Sequence, residues 1–206
     1  MSRVRPLAAV APLAAIAAAL LLAACSGTQV PQDTFYRVTA DGAQAGPAAV
    51  SGTLQVMPVV AAGLVAERPI LHASATDPGA LHQYHYHFWA QTPPEMLQQE
   101  LVSYLRAAGV AERVVGPRVR TDATLLLNPK LLRFERVTGT EPAGSVVLEV
   151  AASHGESGRL AWVETYRATV RAEADTIPAA VRALDAAVDQ VYRAVARDLR
   201  RQGEGA

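Results

Sequence analysis

The sequence predicts an α+β fold, a single mixed, largely antiparallel β-sheet covered on one face by two α-helices. Two observations carry this prediction. Apolar residues alternate at steps of two through several stretches between residues 53 and 171, the signature of half-buried strands. They recur at steps of three and four from Leu97 to Ala108 and again from Val181 to Leu199, the signature of amphipathic helices. The order along the chain is strands, helix, hairpin-linked strands, helix, and no internal repeat divides it, so one domain is expected.

The first 24 residues stand outside that domain. Arg3 and Arg5 precede an Ala/Leu-rich apolar run, which reads as a secretory signal peptide over 1–24. Leu22-Ala23-Ala24-Cys25 looks like a lipobox, in which cleavage leaves the cysteine as the new N-terminus and its thiol takes the lipid. Cys25 is the chain's only cysteine, and it follows small residues at the position such a modification needs. The alternatives are a free thiol left in a cleaved signal peptide and an ordinary membrane-spanning anchor. Residues 25–34 read as the lipidated cysteine and a short polar tether, and 35–202 as the folded domain. Several acyl chains on one residue hold a protein stably at a membrane surface. Ser26 resembles the residue that lets enterobacterial lipoproteins pass to the outer membrane.

The mature chain would keep 17 of the 19 basic residues and all 19 acidic ones. That balance lacks the basic footprint of a nucleic-acid binder. With Cys25 acylated no disulfide is expected, and a body of this length can be stabilised by one apolar core.

Taken in order, 41–52 (DGAQAGPAAVSG) reads as a loop. Thr53 to Val60 alternates in its first half, with Pro58 marking an edge or the strand's end. Arg68 to His72 and residues 80–88 are expected strands around a turn at Asp77-Pro78-Gly79. Thr92-Pro93-Pro94-Glu95 fits a capping box, with proline at the first helical position. Leu97, Leu101, Tyr104, Leu105 and Ala108 then share a stripe, and Gly109 closes the helix. Ala123 to Arg136, Gly144 to Ala152 and Arg159 to Arg171 are expected as three long strands joined by hairpin loops at 138–142 and 153–158. In the last, Ala161, Val163, Thr165, Arg167 and Thr169 share one face. Pro178 opens the second helix. Its apolar stripe is Val181, Leu184, Val188, Val191, Val195 and Leu199, and Arg182, Asp185, Asp189, Arg193, Arg197 and Arg200 fill the outer face. The stripe is expected to pack on the sheet of its own domain.

For chemistry, the stretch HYHFWAQTPPEML at 85–97 stands out. On a regular strand His85 and His87 share a face, and two such imidazoles could begin a zinc or copper site. A working site wants a third protein ligand, and no carboxylate lies between Asp77 and Glu95. His82 falls on the other parity, and His72 and His154 could join only through the tertiary fold. Neither a metal nor another cofactor is therefore expected. Asp185 and Asp189 lie one helical turn apart, but on the solvated face beside arginines nothing is expected to desolvate them. The nucleophile elbow, the P-loop and the zinc-protease helix motif are all missing, and the chain is not expected to be an enzyme.

The aromatic-to-helix junction carries more. Phe35-Tyr36-Arg37-Val38, Leu54-Gln55-Val56-Met57-Pro58-Val59, Arg68-Pro69-Ile70-Leu71, the Trp89-Ala90 step into a helix, and Leu131-Leu132-Arg133-Phe134-Glu135 occur in one order. That series resembles the ABC-type transport auxiliary lipoprotein family, the paraquat-inducible C-like intermembrane-transport lipoproteins. The resemblance runs through nearly the whole mature chain. It implies a non-catalytic, lipid-anchored protein that faces the periplasm of a Gram-negative envelope. Its partners would be an ABC permease and ATPase and an MCE-domain substrate-binding protein, in a system that moves lipids between the membranes and supports envelope integrity. Within the junction, Tyr86, Phe88 and Trp89 are candidate partner-docking residues, with Phe88 and Trp89 as core anchors of the first helix the equal alternative. Rival functions are an envelope-assembly lipoprotein that activates peptidoglycan or lipopolysaccharide machinery, and a periplasmic metal-handling or hydrolytic lipoprotein.

Overall fold

A computed structural model describes residues 31–203. The signal segment, Cys25 and most of the tether lie outside the described residues. The body has eight strands: β1 (Thr34–Tyr36), β2 (Val50–Val56), β3 (Pro69–Ser74), β4 (Asp77–Trp89), β5 (Ala111–Val115), β6 (Leu125–Thr138), β7 (Ala143–His154) and β8 (Leu160–Arg171). Two α-helices complete it, α1 (Pro93–Ala108) between β4 and β5 and α2 (Ile177–Gly203) after β8, with a 3-10 turn at Gly63–Ala66.

All eight strands join in one mixed sheet, as the alternation predicts. β6 is its spine. One edge of β6 pairs antiparallel with β7 along almost its whole length, and β7 pairs antiparallel with β8. The opposite edge is divided. Its first residues, Leu125 to Leu127, pair parallel with β2, which carries β5 in turn. Its last, Arg136 to Thr138, pair parallel with β3, which carries β4 and then β1. The long ladders are thus antiparallel and most of the short ones parallel. Pro129, which has no N–H to give a ladder, lies in the stretch between the two wings. There Val60 bridges the gap, donating its N–H to the Pro129 carbonyl at 3.1 Å and accepting from the Leu131 N–H at 2.8 Å.

Both helices bury their stripes in one core with the sheet. The α2 stripe, from Val181 and Leu184 to Val195 and Leu199, is buried mainly over β7 and β8. Leu97, Leu101, Tyr104 and Leu105 of α1 join the same core over β5 and β2. The Tyr192 hydroxyl donates to the Leu97 carbonyl at 2.7 Å, and the Tyr104 and Tyr192 rings meet edge to face. At the start of α1 the Glu95 carboxylate accepts from both the N–H and the hydroxyl of Thr92. Gly109 ends the helix in the left-handed conformation, at φ 66°. Arg200 of α2 reaches across to the last turn of α1, its guanidinium donating to the Ala108 carbonyl at 2.8 Å.

Three elements differ from expectation. The hairpin after β3 turns at Ala75 and Thr76, ahead of Asp77-Pro78-Gly79, because the Ser74 hydroxyl accepts the Thr76 N–H and so supplies the turn itself. β5 was not anticipated: its five residues have no clean alternation, and its place on β2 is set by a parallel pairing distant in sequence. Half of the expected solvent face of α2 is also covered. The segment that follows β1 crosses it, with Thr39 and Gly42 donating to Asp185 and Asp189 and Gln44 accepting from Arg200.

Gly144 marks the closest approach of α2 to the sheet. A β-carbon there would lie 2.6 Å from the Leu184 nitrogen and 2.8 Å from the Ala183 carbonyl carbon. Gly144→Ala must push the helix off β7, and is expected to cost about 1–3 kcal/mol, as overpacking does. The loss is read as a lowered urea midpoint, and an unchanged midpoint refutes the packing described here.

Candidate functional site

Strand β4 pairs with β3 through Leu71 and Gln83, and again through Pro69 and Phe88. Tyr84 to His87 therefore face Ile70 alone, and the strand bulges. The bulge breaks the regular alternation on which a shared face for His85 and His87 depends. His87 is half-buried, 3.2 Å through Nδ1 from the Tyr36 hydroxyl and edge-on to Tyr84. His85 is exposed. Among the described residues, no three of the His, Cys, Asp and Glu side chains come together as a metal site.

The pleat instead gathers a different set. His72 and His82 sit opposite each other on β3 and β4, with rings stacked at 5.4 Å, and Tyr84 lies 4.4 Å from His72. The parallel pairing of β3 with β6 brings Arg136 beside them. Arg136 is buried, donates to the Tyr84 hydroxyl and pairs with Asp175 at 2.6 Å. Burial lowers the pKa of His72, and the neighbouring His82 and Arg136 push it the same way. The same burial raises that of the Tyr84 phenol. Arg136 commits its two terminal nitrogens to Tyr84 and Asp175 while its buried Nε has no hydrogen-bond partner, and the cluster ties the loop before α2 to the sheet. No local pattern announces this set, because β6 supplies Arg136 from 64 positions beyond its register partner His72.

The candidate docking residues separate. Trp89 is 1% exposed and packs on Phe134 at 4.9 Å, so it is a core residue and offers no surface to a partner. Its indole is too large to leave in water at the head of α1 when Phe134 offers a buried partner. Phe88 points to the other side of β4, half-buried and stacked at 5.8 Å on Phe35 of β1. Tyr86, within the bulge, is 44% exposed. The Arg68 guanidinium lies 5.3 Å above the Phe35 ring and donates to the Trp89 carbonyl. Phe35 and Arg68 belong to this surface although Phe35 is separated from Phe88 by half the N-terminal wing. The parallel pairing of β1 with β4 joins them.

Two of the three carboxylates of α2, Asp185 and Asp189, also depart from expectation. Asp185 accepts the Thr39 N–H at 3.1 Å, and Asp189 accepts the Gly42 N–H at 2.8 Å and pairs with Arg193. The covering segment desolvates Asp185. That burial, with Asp41 and Glu100 adding to it against the Thr39 hydrogen bond, pushes its pKa up to about 6. The pair anchors the chain after β1 and lines an open hollow together with Arg182 and Arg193.

The α+β body carries its two helices over one face of the mixed sheet. The chain belongs to the family of ABC-type transport auxiliary lipoprotein components, whose model matches residues 36–196. Several solved structures share its fold. Protein XCC0632 from Xanthomonas campestris superposes with a TM-score of 0.70 at 24% identity, over 84% of this chain and 98% of that one. An uncharacterized protein gives 0.65 at 17% identity, over 82% and 99% of the two chains. The hypothetical protein CT253 from Chlamydia trachomatis gives 0.52 at 6% identity, over 76% and 100%. None of the curated proteins matches the chain.

Two substitutions separate core from surface. Trp89→Ala is expected to lose about 3–5 kcal/mol of stability, and Tyr86→Ala to stay within about 0.5 kcal/mol of the parent in chemical denaturation. Asp185 gives the fold a pH dependence. Its folded pKa lies above its unfolded one, so the folded state binds more protons between about pH 4 and 6, and stability is lost as pH rises through that window. Asp185→Asn keeps an acceptor for Thr39, so the variant's Tm is expected to exceed the parent's at pH 7, with the two converging near pH 4.

Proposed function

We propose that this chain is a lipid-anchored periplasmic lipoprotein acting as the non-catalytic accessory subunit of an MCE-type ABC system that moves lipids between the two membranes of a Gram-negative envelope. The observation that carries this is the family match, which reaches from β1 through most of α2 and so takes in almost the whole body. Cys25, acylated after removal of residues 1–24, is the anchor, and Ser26 favours delivery to the outer membrane with the body facing the periplasm. Among the described residues no helix is long and apolar enough to cross a membrane. The partners are an MCE-domain protein and an ABC permease and ATPase; nucleic acid has no part.

Affinity capture of the full chain from membranes tests this. Expected is recovery of the MCE-domain protein with the permease and ATPase, and a shift of the chain to the soluble fraction on Cys25→Ala. Recovery of peptidoglycan or lipopolysaccharide machinery without an MCE protein overturns the transport assignment.

A further inference from the structure

A solvent-exposed phenylalanine on a sheet edge contributes little to folding. Phe35 is 54% exposed on β1, a three-residue strand that among the described residues pairs on one edge only. Its ring is nevertheless held in place, stacked on Phe88 and covered by the Arg68 guanidinium. Arg37 follows two residues on, and Tyr86 is exposed two residues before Phe88. Asp33 and Glu67 offset the two arginines in charge. A neutral patch of aromatic rings with cationic rims has the chemistry of a membrane interface. There rings enter the boundary between headgroup and acyl chain, and long cationic side chains reach back to the phosphates.

We infer that the Phe35–Phe88–Arg68 patch rests on the surface of the bilayer that holds the acylated Cys25. The inference rests on the lipid anchor of the proposed function. The length of chain before β1 argues for lipid over other occupants. From Cys25 to Phe35 there are ten residues, a fully extended reach of at most about 35 Å. The anchor thus keeps the patch within one tether length of lipid headgroups at all times. At such effective concentrations a contact too weak to bind membranes alone is populated. Val60, Leu64, Val119 and Leu132 are also exposed, and Leu160 and Val163 lie on β8, across β6 from β1.

The test places a tryptophan at the patch. The acylated full chain carrying Phe35→Trp is reconstituted in phosphatidylcholine vesicles with brominated acyl chains, and Leu160→Trp serves as the distant control. The parent chain supplies the background of Trp89 and Trp162. Loss of the emission added at position 35, with that added at 160 retained, is the expected result, and further substitution Phe88→Ser is expected to restore it with an unchanged Tm. A Phe35→Trp chain that floats with the vesicles but keeps its emission overturns the inference while leaving the anchor intact. Emission unquenched on lipid but altered when the MCE-domain protein is added assigns the patch to a protein partner and overturns it equally. A chain that does not float, with Cys25 unmodified by mass, removes the anchor and this inference with it.

Discussion

Strand β6 lies inside the sheet, so the peptide groups on both its edges need partners out of reach of water. On the β7 side one strand meets nearly the whole demand. On the other side no single strand does, and the chain divides the edge between β2 and β3, with Val60 bridging the interval. That division decides the layout of the molecule. One wing carries β5 and brings α1 over the core; the other carries β4 and β1 and sets the aromatic surface. α2 lies across the antiparallel half, which is why Gly144 has to be a glycine.

The half of the fold built from neighbours in sequence was legible. Hairpins keep β6, β7 and β8 adjacent, and their alternation shows directly which side faces α2, from Val146 and Leu148 to Val150. Both helices declared themselves through caps and stripes. What the sequence left hidden depends on pairing at a distance. β5 is a strand because β2 lies beside it, and a residue such as Arg113 carries no trace of that neighbour. The bulge of β4 is similar: periodicity assigns His85 and His87 to one face, and only the register against β3 separates them. Asp185 looked solvated because the helical wheel cannot show a loop folded over it.

The same logic governs the aromatic junction. The junction at Phe88 and Trp89 was recognisable as special, but which ring served the core and which the surface was not. Adjacent residues on a strand point to opposite sides, and the choice falls to Phe134 beneath and Phe35 beside. His72 and His82, rather than the His85 and His87 that drew attention first, stand beside Tyr84 and the Arg136 that holds the loop before α2.

The division of β6 also sets a timetable. The meander of β6, β7 and β8 pairs neighbours and closes short loops, whereas both wings join β6 by parallel ladders across long stretches of chain. Loop-closure entropy makes the second kind of contact slow and late. A chain delivered amino end first therefore presents β1 to β5 before their template exists, and the wings have nothing to add to until residue 125 has arrived. The N-terminal end, whatever is attached to it, is in place before the body that it holds takes shape.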